Sequence, residues 1–275
     1  MPNLAGMSSR ALVPAIAAAL AVVLGLATPA QAADRAPVLR VMTFNICGNV
    51  CRHGEVAHTA GNIATAIRSR HVAVAMLQEV CYSQFLGVRA ALARYGYTAV
   101  FGRAAAGGHC DDADRRHGRA FGVALIAKGR LTGPAVRSLP SPYDRTAERR
   151  VLVTANLRYG VRDLFLVAAH TAPGGPNLTA QLAALRRFVT PIAATRPVLL
   201  GGDLNALPDN PGLNGLYAGA FREADDARAV PLPTFRTVPR KIDYLFASRR
   251  FLTPVAAGTV LTRFSDHRMY LGTFG

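Results

Sequence analysis

Pro197–Pro208 reads PVLLGGDLNALP: a short apolar run closes on two glycines, then presents a carboxylate and a carboxamide two residues apart, Asp203 and Asn205. The run fits a buried strand opening into a loop, where sheet proteins place the polar side chains that meet ligands. FSDH at Phe264–His267 adds an acid and an imidazole just ahead of the last apolar run.

Working outward, other apolar runs end in the same way. Asn45 follows VMTF, Glu79 follows VAMLQ, His170 follows FLVAA, and Asp243 opens IDYLF. One such residue is ordinary, but the repetition gathers carboxylates and amides, the hard oxygen donors that suit Mg²⁺ or Ca²⁺. Two imidazoles beside them supply an acid and a base. Phosphate ester hydrolysis draws on that set: charge neutralisation, an activated water and a proton for the leaving alkoxide.

The runs also outline the fold. Val38–Ile46 reads as a first strand, His58–Arg70 as a helix with Ile63 and Ile67 on one face, and His71–Leu77 as a second strand. Ser83–Tyr95 reads as a helix capped by Ser83. Ala120–Ala127, Arg150–Leu157 and Val161–Ala169 read as successive antiparallel strands. Leu178–Val189 is helical with Asn177 as its cap. Strands at Val198–Leu200, Ile242–Ala247, Val255–Leu261 and Arg268–Gly272 complete a mixed pattern that predicts a sheet-on-sheet core flanked by helices.

Arg10 precedes an unbroken apolar stretch, Ala11–Ala27, and then Thr-Pro-Ala-Gln-Ala. This reads as a secretory signal peptide, residues 1–32, cleaved near Ala32 to leave one domain, 33–275, without membrane insertion. Later runs are too short to span a bilayer. The formal charge is +16, and only Arg10 of 32 basic residues lies in the signal. So basic an exported chain fits a polyanionic partner, with Arg115, Arg116, Arg119, Arg236, Arg240 and Lys241 as candidate phosphate contacts. Four cysteines, Cys47, Cys51, Cys81 and Cys110, point to two disulfides. Of three connectivities, Cys47–Cys51 with Cys81–Cys110 is favoured; the competing reading is zinc at Cys47, Cys51 and His53. The DDADRRHGR loop carries Asp111, Asp112 and Asp114 and reads as an ion-paired turn rather than a Ca²⁺ loop.

TFNI at Thr43–Ile46, LQEV at Leu77–Val80, AHTAPGG at Ala169–Gly175, GGDLNA at Gly201–Ala206, IDYLF at Ile242–Phe246 and SDH at Ser265–His267 occur in one order along the chain. In that order they resemble the endonuclease/exonuclease/phosphatase superfamily, of deoxyribonuclease I-like fold. The resemblance implies an α/β (α+β) four-layer sandwich, two mixed β-sheets packed face to face with helices on the outer faces. It implies Glu79 as principal metal carboxylate, assisted by Asn45 and Asp266, with Mg²⁺ as the cofactor and Mn²⁺ or Ca²⁺ as substitutes. His170 and His267 would flank the scissile phosphate, Asp243 would hold one imidazole in its tautomer, and Asp203 and Asn205 would orient nucleophile and phosphate. Arg149 or Arg150 would contact phosphate, with Arg149 preferred.

These readings converge on a secreted, monomeric, metal-dependent phosphodiesterase, an endonuclease on DNA or RNA. The alternative is a phosphatase or phosphodiesterase acting on small-molecule, sugar or lipid phosphates. With no Trp and 7% aromatic residues, no membrane-inserting loop supports a lipid substrate.

Overall fold

β1 (Leu39–Asn45) sends Leu39 and Val41 into one apolar cluster and Met42 and Phe44 into another, as a strand buried on both faces must. In this computed structural model, which describes residues 38–144 and 148–275, the same split recurs. In β2 (Val74–Cys81), Val74 and Met76 join the first cluster while Ala75 and Leu77 join the second. In β8 (Val198–Asp203), Leu199 joins the first cluster and Val198 and Leu200 enter a third. The first cluster therefore lies between two sheets, and the other two lie beneath helices.

One sheet runs β11 (Pro254–Val260), β12 (Met269–Phe274), β1, β2, β4 (Ala120–Lys128), β3 (Tyr97–Ala106). The other runs β5 (Leu131–Ser138), β6 (Val151–Tyr159), β7 (Arg162–His170), β8, β10 (Asp243–Ser248), β9 (Phe221–Glu223). Among the described strands only β1–β2 and β7–β8 pair in parallel, and each of these pairs is joined by a helix, as parallel neighbours require. These are α1 (Ala57–Ser69) and α3 (Gly175–Ala193). α1 and α2 (Tyr82–Ala93) cover the first sheet, and α3 with α4 (Pro211–Tyr217) covers the second. This is the four-layer sandwich of two mixed sheets that the sequence implied.

Details depart from the sequence reading. α2 begins at Tyr82, with Cys81 at its N-cap and Gln84 closing a capping box, so Ser83 lies inside the helix. α3 starts after Gly174, and Asn177 is in its first turn, where its amide oxygen accepts the Tyr143 N–H instead of capping the helix. Lys241 does not face solvent. Its ammonium is buried 3.2 Å from Glu223 and 3.3 Å from Asp225, and so cannot meet a nucleic acid backbone. Both favoured disulfides are present, which leaves no thiolate for zinc. Asp114 accepts the Arg116 and His117 N–H groups and pairs with the His117 imidazole, an ion-paired turn. The signal-sequence expectation falls on residues outside those described, and no described helix is long and apolar enough to cross a membrane.

The Gly201-Gly202 pair lets strands and sheets approach closely. A Cβ at Gly201 would lie 2.7 Å from Leu245 and from Met76 of the facing sheet. A Cβ at Gly202, whose φ is +154°, would lie 1.9 Å from the Ala169 carbonyl oxygen, a backbone atom with little freedom to yield. Gly202→Ala is therefore expected to cost about 3 kcal/mol or more, lowering Tm by roughly 6–12 °C for a domain of this size. A melting curve by circular dichroism within 2 °C of wild type would contradict this.

Candidate active site

The catalytic candidates occupy the last inward-facing positions of the inter-sheet layer. β7 and β8 are in register with His170 opposite Asp203, and β8 and β10 with Asp203 opposite Asp243. All three continue the faces of Leu166, Leu199 and Leu245, which line the inter-sheet cluster. Asn45 ends β1 on the same face, beyond Thr43, whose hydroxyl donates to Gln78 at 3.3 Å.

Glu79 reaches the site by breaking alternation. Simple period 2 would turn it toward α1 and α2, alongside Ala75 and Leu77. Instead β2 carries a register shift between Leu77 and Val80, Glu79 adopts φ +56°, and Val80 takes the helix-facing position. The bulge turns the carboxylate inward, where Asn45 Nδ2 donates to its Oε1 at 3.0 Å. The same amide nitrogen donates to Asp203 Oδ2 at 3.0 Å, bridging the two sheets.

Asp203 is the centre. Its Oδ2 lies 3.6 Å from Nε2 of both His170 and His267, and its Oδ1 accepts the Asn205 N–H at 3.0 Å. Burial, reinforced by the neighbouring Asp243 carboxylate, raises its pKa above the ordinary carboxylate range. His267 pairs through Nδ1 with Asp243 Oδ2 at 2.8 Å. Burial opposes its charge, but Asp243, Asp203 and Asp266 outweigh that and push its pKa up to about 10. His170 is held well below the ordinary imidazole range by burial, then by the Arg150 cation and by His267. At neutral pH one imidazole is therefore cationic and the other neutral.

The two arginines part company. Arg149 is exposed and donates to Ser138, whereas Arg150 points inward, its Nη1 2.9 Å from Nδ1 and 3.0 Å from Nε2 of His170. Arg150, not the favoured Arg149, is thus the arginine that the structure brings against His170. Both precede β6, whose Val151 and Val153 face the layer between the sheets, so strand alternation alone would favour Arg149, and the irregular backbone ahead of the strand turns Arg150 inward instead. Arg150 also pairs with Glu148 at 3.4 Å, a carboxylate whose pKa is raised by burial, against Arg150, and by Glu79. Asn205 does not point its amide at the cluster. Its Nδ2 donates to Thr171 O at 3.0 Å, so it braces the loop that holds Asp203. Asp266 sits against the Cys47–Cys51 disulfide, with Cys51 Sγ 3.9 Å from its Oδ1, and accepts from Ser265.

Glu148, Ser265 and Phe235 were not singled out from the sequence. Ser265 Oγ donates to Asn45 O at 2.7 Å and accepts the His267 N–H at 3.0 Å, tying the end of β1 to the SDH turn. Phe235 packs its ring edge-to-face with His267 at 5.1 Å. The Ser in SDH was a usable signal, but Glu148 and Phe235 carry none outside the folded contacts.

Glu79 and Asp266 offer carboxylate oxygens with no ion-pair partner among the described residues, and a buried Asp243 oxygen, Oδ1, lacks a hydrogen bond. Asp203, Asp243 and His267 bring ligand atoms within 4.8 Å of one another. His267, cationic at neutral pH, offers no lone pair to a metal, so the carboxylate oxygens of this group and of Glu79 and Asp266 are the donors that fit a hard divalent cation. Two sheets presenting such acids beside paired imidazoles and an inward arginine define a phosphoesterase centre.

The endonuclease/exonuclease/phosphatase family profile matches residues 42–267, and the chain belongs to that family. Its members are phosphoester hydrolases, typically with a divalent metal. The fold is similar to an endonuclease/exonuclease/phosphatase from Beutenbergia cavernae, with 25% identity and TM-score 0.67, covering 86% of this chain and 71% of that one. It is similar also to a mannosyl-6-phosphatase of Bacteroides thetaiotaomicron, with 15% identity and TM-score 0.69, covering 86% and 99%. The human Nocturnin catalytic domain, solved with bound sulfate, gives 22% identity and TM-score 0.67, covering 87% and 93%. No curated protein sequence matches the chain.

Two outcomes are expected. Arg150→Ala lowers kcat/KM about 10²-fold, the scale of losing one oriented donor, while Arg149→Ala stays near wild type in the same ester assay. His267 has a folded pKa raised above its unfolded value, so its charge stabilises fully below pH 6.5, and that contribution is lost as pH climbs through about 10. The Tm gap between wild type and His267→Gln should accordingly narrow between pH 7 and 10, and a constant gap would contradict the ion pair.

Proposed function

We propose that the chain is a secreted, Mg²⁺-dependent phosphodiesterase that cleaves nucleic acid internally. The observation that carries the choice of substrate is the charge flanking the site. Arg236 donates its N–H to Asp266 O, and Arg240 lies 5.0 Å over the ring of Phe235, the residue packed on His267. The turn carrying exposed Arg115 and Arg116, which also holds Asp111, Asp112 and Asp114, is fixed by His117 stacked on Tyr82 at 3.8 Å, three residues beyond Glu79. A basic loop beside the centre, on a chain of formal charge +16, suits a backbone that carries a phosphate at every step. Two disulfides fit an extracellular protein.

Glu79, Asn45 and Asp266 would hold the cation, which when bound neutralises charge on the phosphate and lowers the pKa of water. Arg150 and neutral His170 orient the phosphate through its non-bridging oxygens. The Asp203 carboxylate, made more basic by burial, takes a proton from the attacking water as the new P–O bond forms. The His267 imidazolium, fixed by Asp243, gives its proton to the leaving alkoxide as the other P–O bond breaks. Asn205 keeps Asp203 in place from the backbone side.

Supercoiled plasmid incubated with the protein and Mg²⁺ should be nicked and then linearised, with excess EDTA abolishing the reaction. His170→Ala and His267→Ala should each slow nicking by about 10²-fold or more. Hydrolysis of phosphomonoesters alone, with plasmid left intact, would replace the nuclease reading with a phosphatase.

A further inference from the structure

At the pole opposite the catalytic centre, a cavity of about 300 Å³ is lined by Arg68, His71, Tyr95, Tyr97, Lys128 and Tyr159. β6 connects the two places: its first residue follows Arg150, and its last, Tyr159, lines the cavity. That strand length is on the order of 25 Å. The cavity draws Tyr97 from one sheet and Tyr159 from the other, so it closes the inter-sheet layer at the end the chemistry does not use.

Its cations are fixed but not neutralised. The Arg68 guanidinium lies 3.7 Å over the Tyr95 ring, and the Lys128 ammonium lies 5.1 Å from the Tyr97 ring centre and donates to Tyr95 O. Tyr97 is itself pinned by its hydroxyl donating to Val72 O at 2.9 Å. Stacking on aromatic faces holds a cation in place. No acidic residue lines the cavity, and neither Arg68 nor Lys128 has an ion-pair partner among the described residues. Surface cations scattered singly need no explanation, but two restrained cations, an imidazole and tyrosine hydroxyls around one concavity lack only an anion.

The geometry points to a second anion site, distinct from the catalytic centre, in which Arg68 and Lys128 grip a phosphate group. Arg68 provides paired N–H donors for the phosphate oxygens and Lys128 a point charge. The site does not depend on the reaction assigned to the catalytic centre. The phosphate belongs either to a free phosphate or to a nucleic acid strand lying across this pole, and the two sources share one recognition chemistry.

Calorimetric titration of wild type and R68A/K128A in EDTA tests it, with inorganic phosphate, 5′-phosphorylated (dT)₆ and 5′-hydroxyl (dT)₆ as probes. Wild type should bind phosphate in a component that R68A/K128A weakens at least about tenfold, while R150A retains it. Phosphate held at the catalytic arginine would behave in the opposite way. Turnover of bis-p-nitrophenyl phosphate with Mg²⁺ should be unchanged in R68A/K128A. Oligonucleotide binding weakened by R68A/K128A assigns the occupant to a strand, with the 5′-hydroxyl form separating internal from terminal phosphates. Loss confined to inorganic phosphate assigns it to the free ion. Equal phosphate affinity in wild type and R68A/K128A, or no phosphate binding by wild type, would overturn the proposal.

Discussion

The site depends on holding the Asp203 carboxylate, almost without water, between two β-sheets. A buried carboxylate is tolerated only when its oxygens are hydrogen-bonded or opposed by charge. Asp203 meets that condition through Asn45 from the facing sheet, the Asn205 backbone, and imidazoles from β7 and the SDH turn. These partners lie in four of the motifs, Asp203's own included, so this one group orients segments from across the chain. The sandwich is what makes it possible: the ends of inward faces from both sheets converge on one point, which a single sheet could not arrange.

Around that point the backbone departs from regular geometry. Glu79 at φ +56°, Asn205 at φ +47° and Cys47 at φ +48° adopt conformations that disfavour non-glycine residues, and all three adjoin the site. Regular alternation would have turned Glu79 toward the helices. The cost is offset by dense packing behind: Leu166, Leu199 and Leu245 fill the inter-sheet layer immediately below. The buried Lys241–Glu223–Asp225 group, just before β10, serves the same end differently, since removing the cation would strand two acids in the core at about 3–5 kcal/mol.

Much of this was legible in the sequence. Strands buried on both faces are long apolar runs, so β1, β2, β4, β7, β8 and β10 announced themselves. β3 and β5 did not, because they are edge strands with exposed residues: LTGPAVRS contains a glycine and a proline and looks like a loop. The site residues were visible as polar endings of apolar runs, but their orientation was not. The choice between Arg149 and Arg150 is made in the irregular backbone just ahead of β6, where no periodicity in the sequence sets the direction of a side chain. Lys241 read as a surface cation because its buried acidic partners sit some sixteen residues away or more, across a turn with no periodic signal.

The two histidines show what the fold adds to the sequence. His170 ends β7 and His267 stands just ahead of β12, both are buried, and both face the same Asp203 oxygen at the same 3.6 Å. Burial alone would neutralise each of them. What separates them is the second neighbour: His170 meets the Arg150 cation, and His267 meets the Asp243 anion at hydrogen-bond distance. Two equivalent imidazoles thus become a neutral one and a cationic one, both against the same carboxylate oxygen. In the hydrolysis proposed above, that difference would give a proton a defined route, onto the basic Asp203 carboxylate from the incoming water and off His267 to the departing alkoxide.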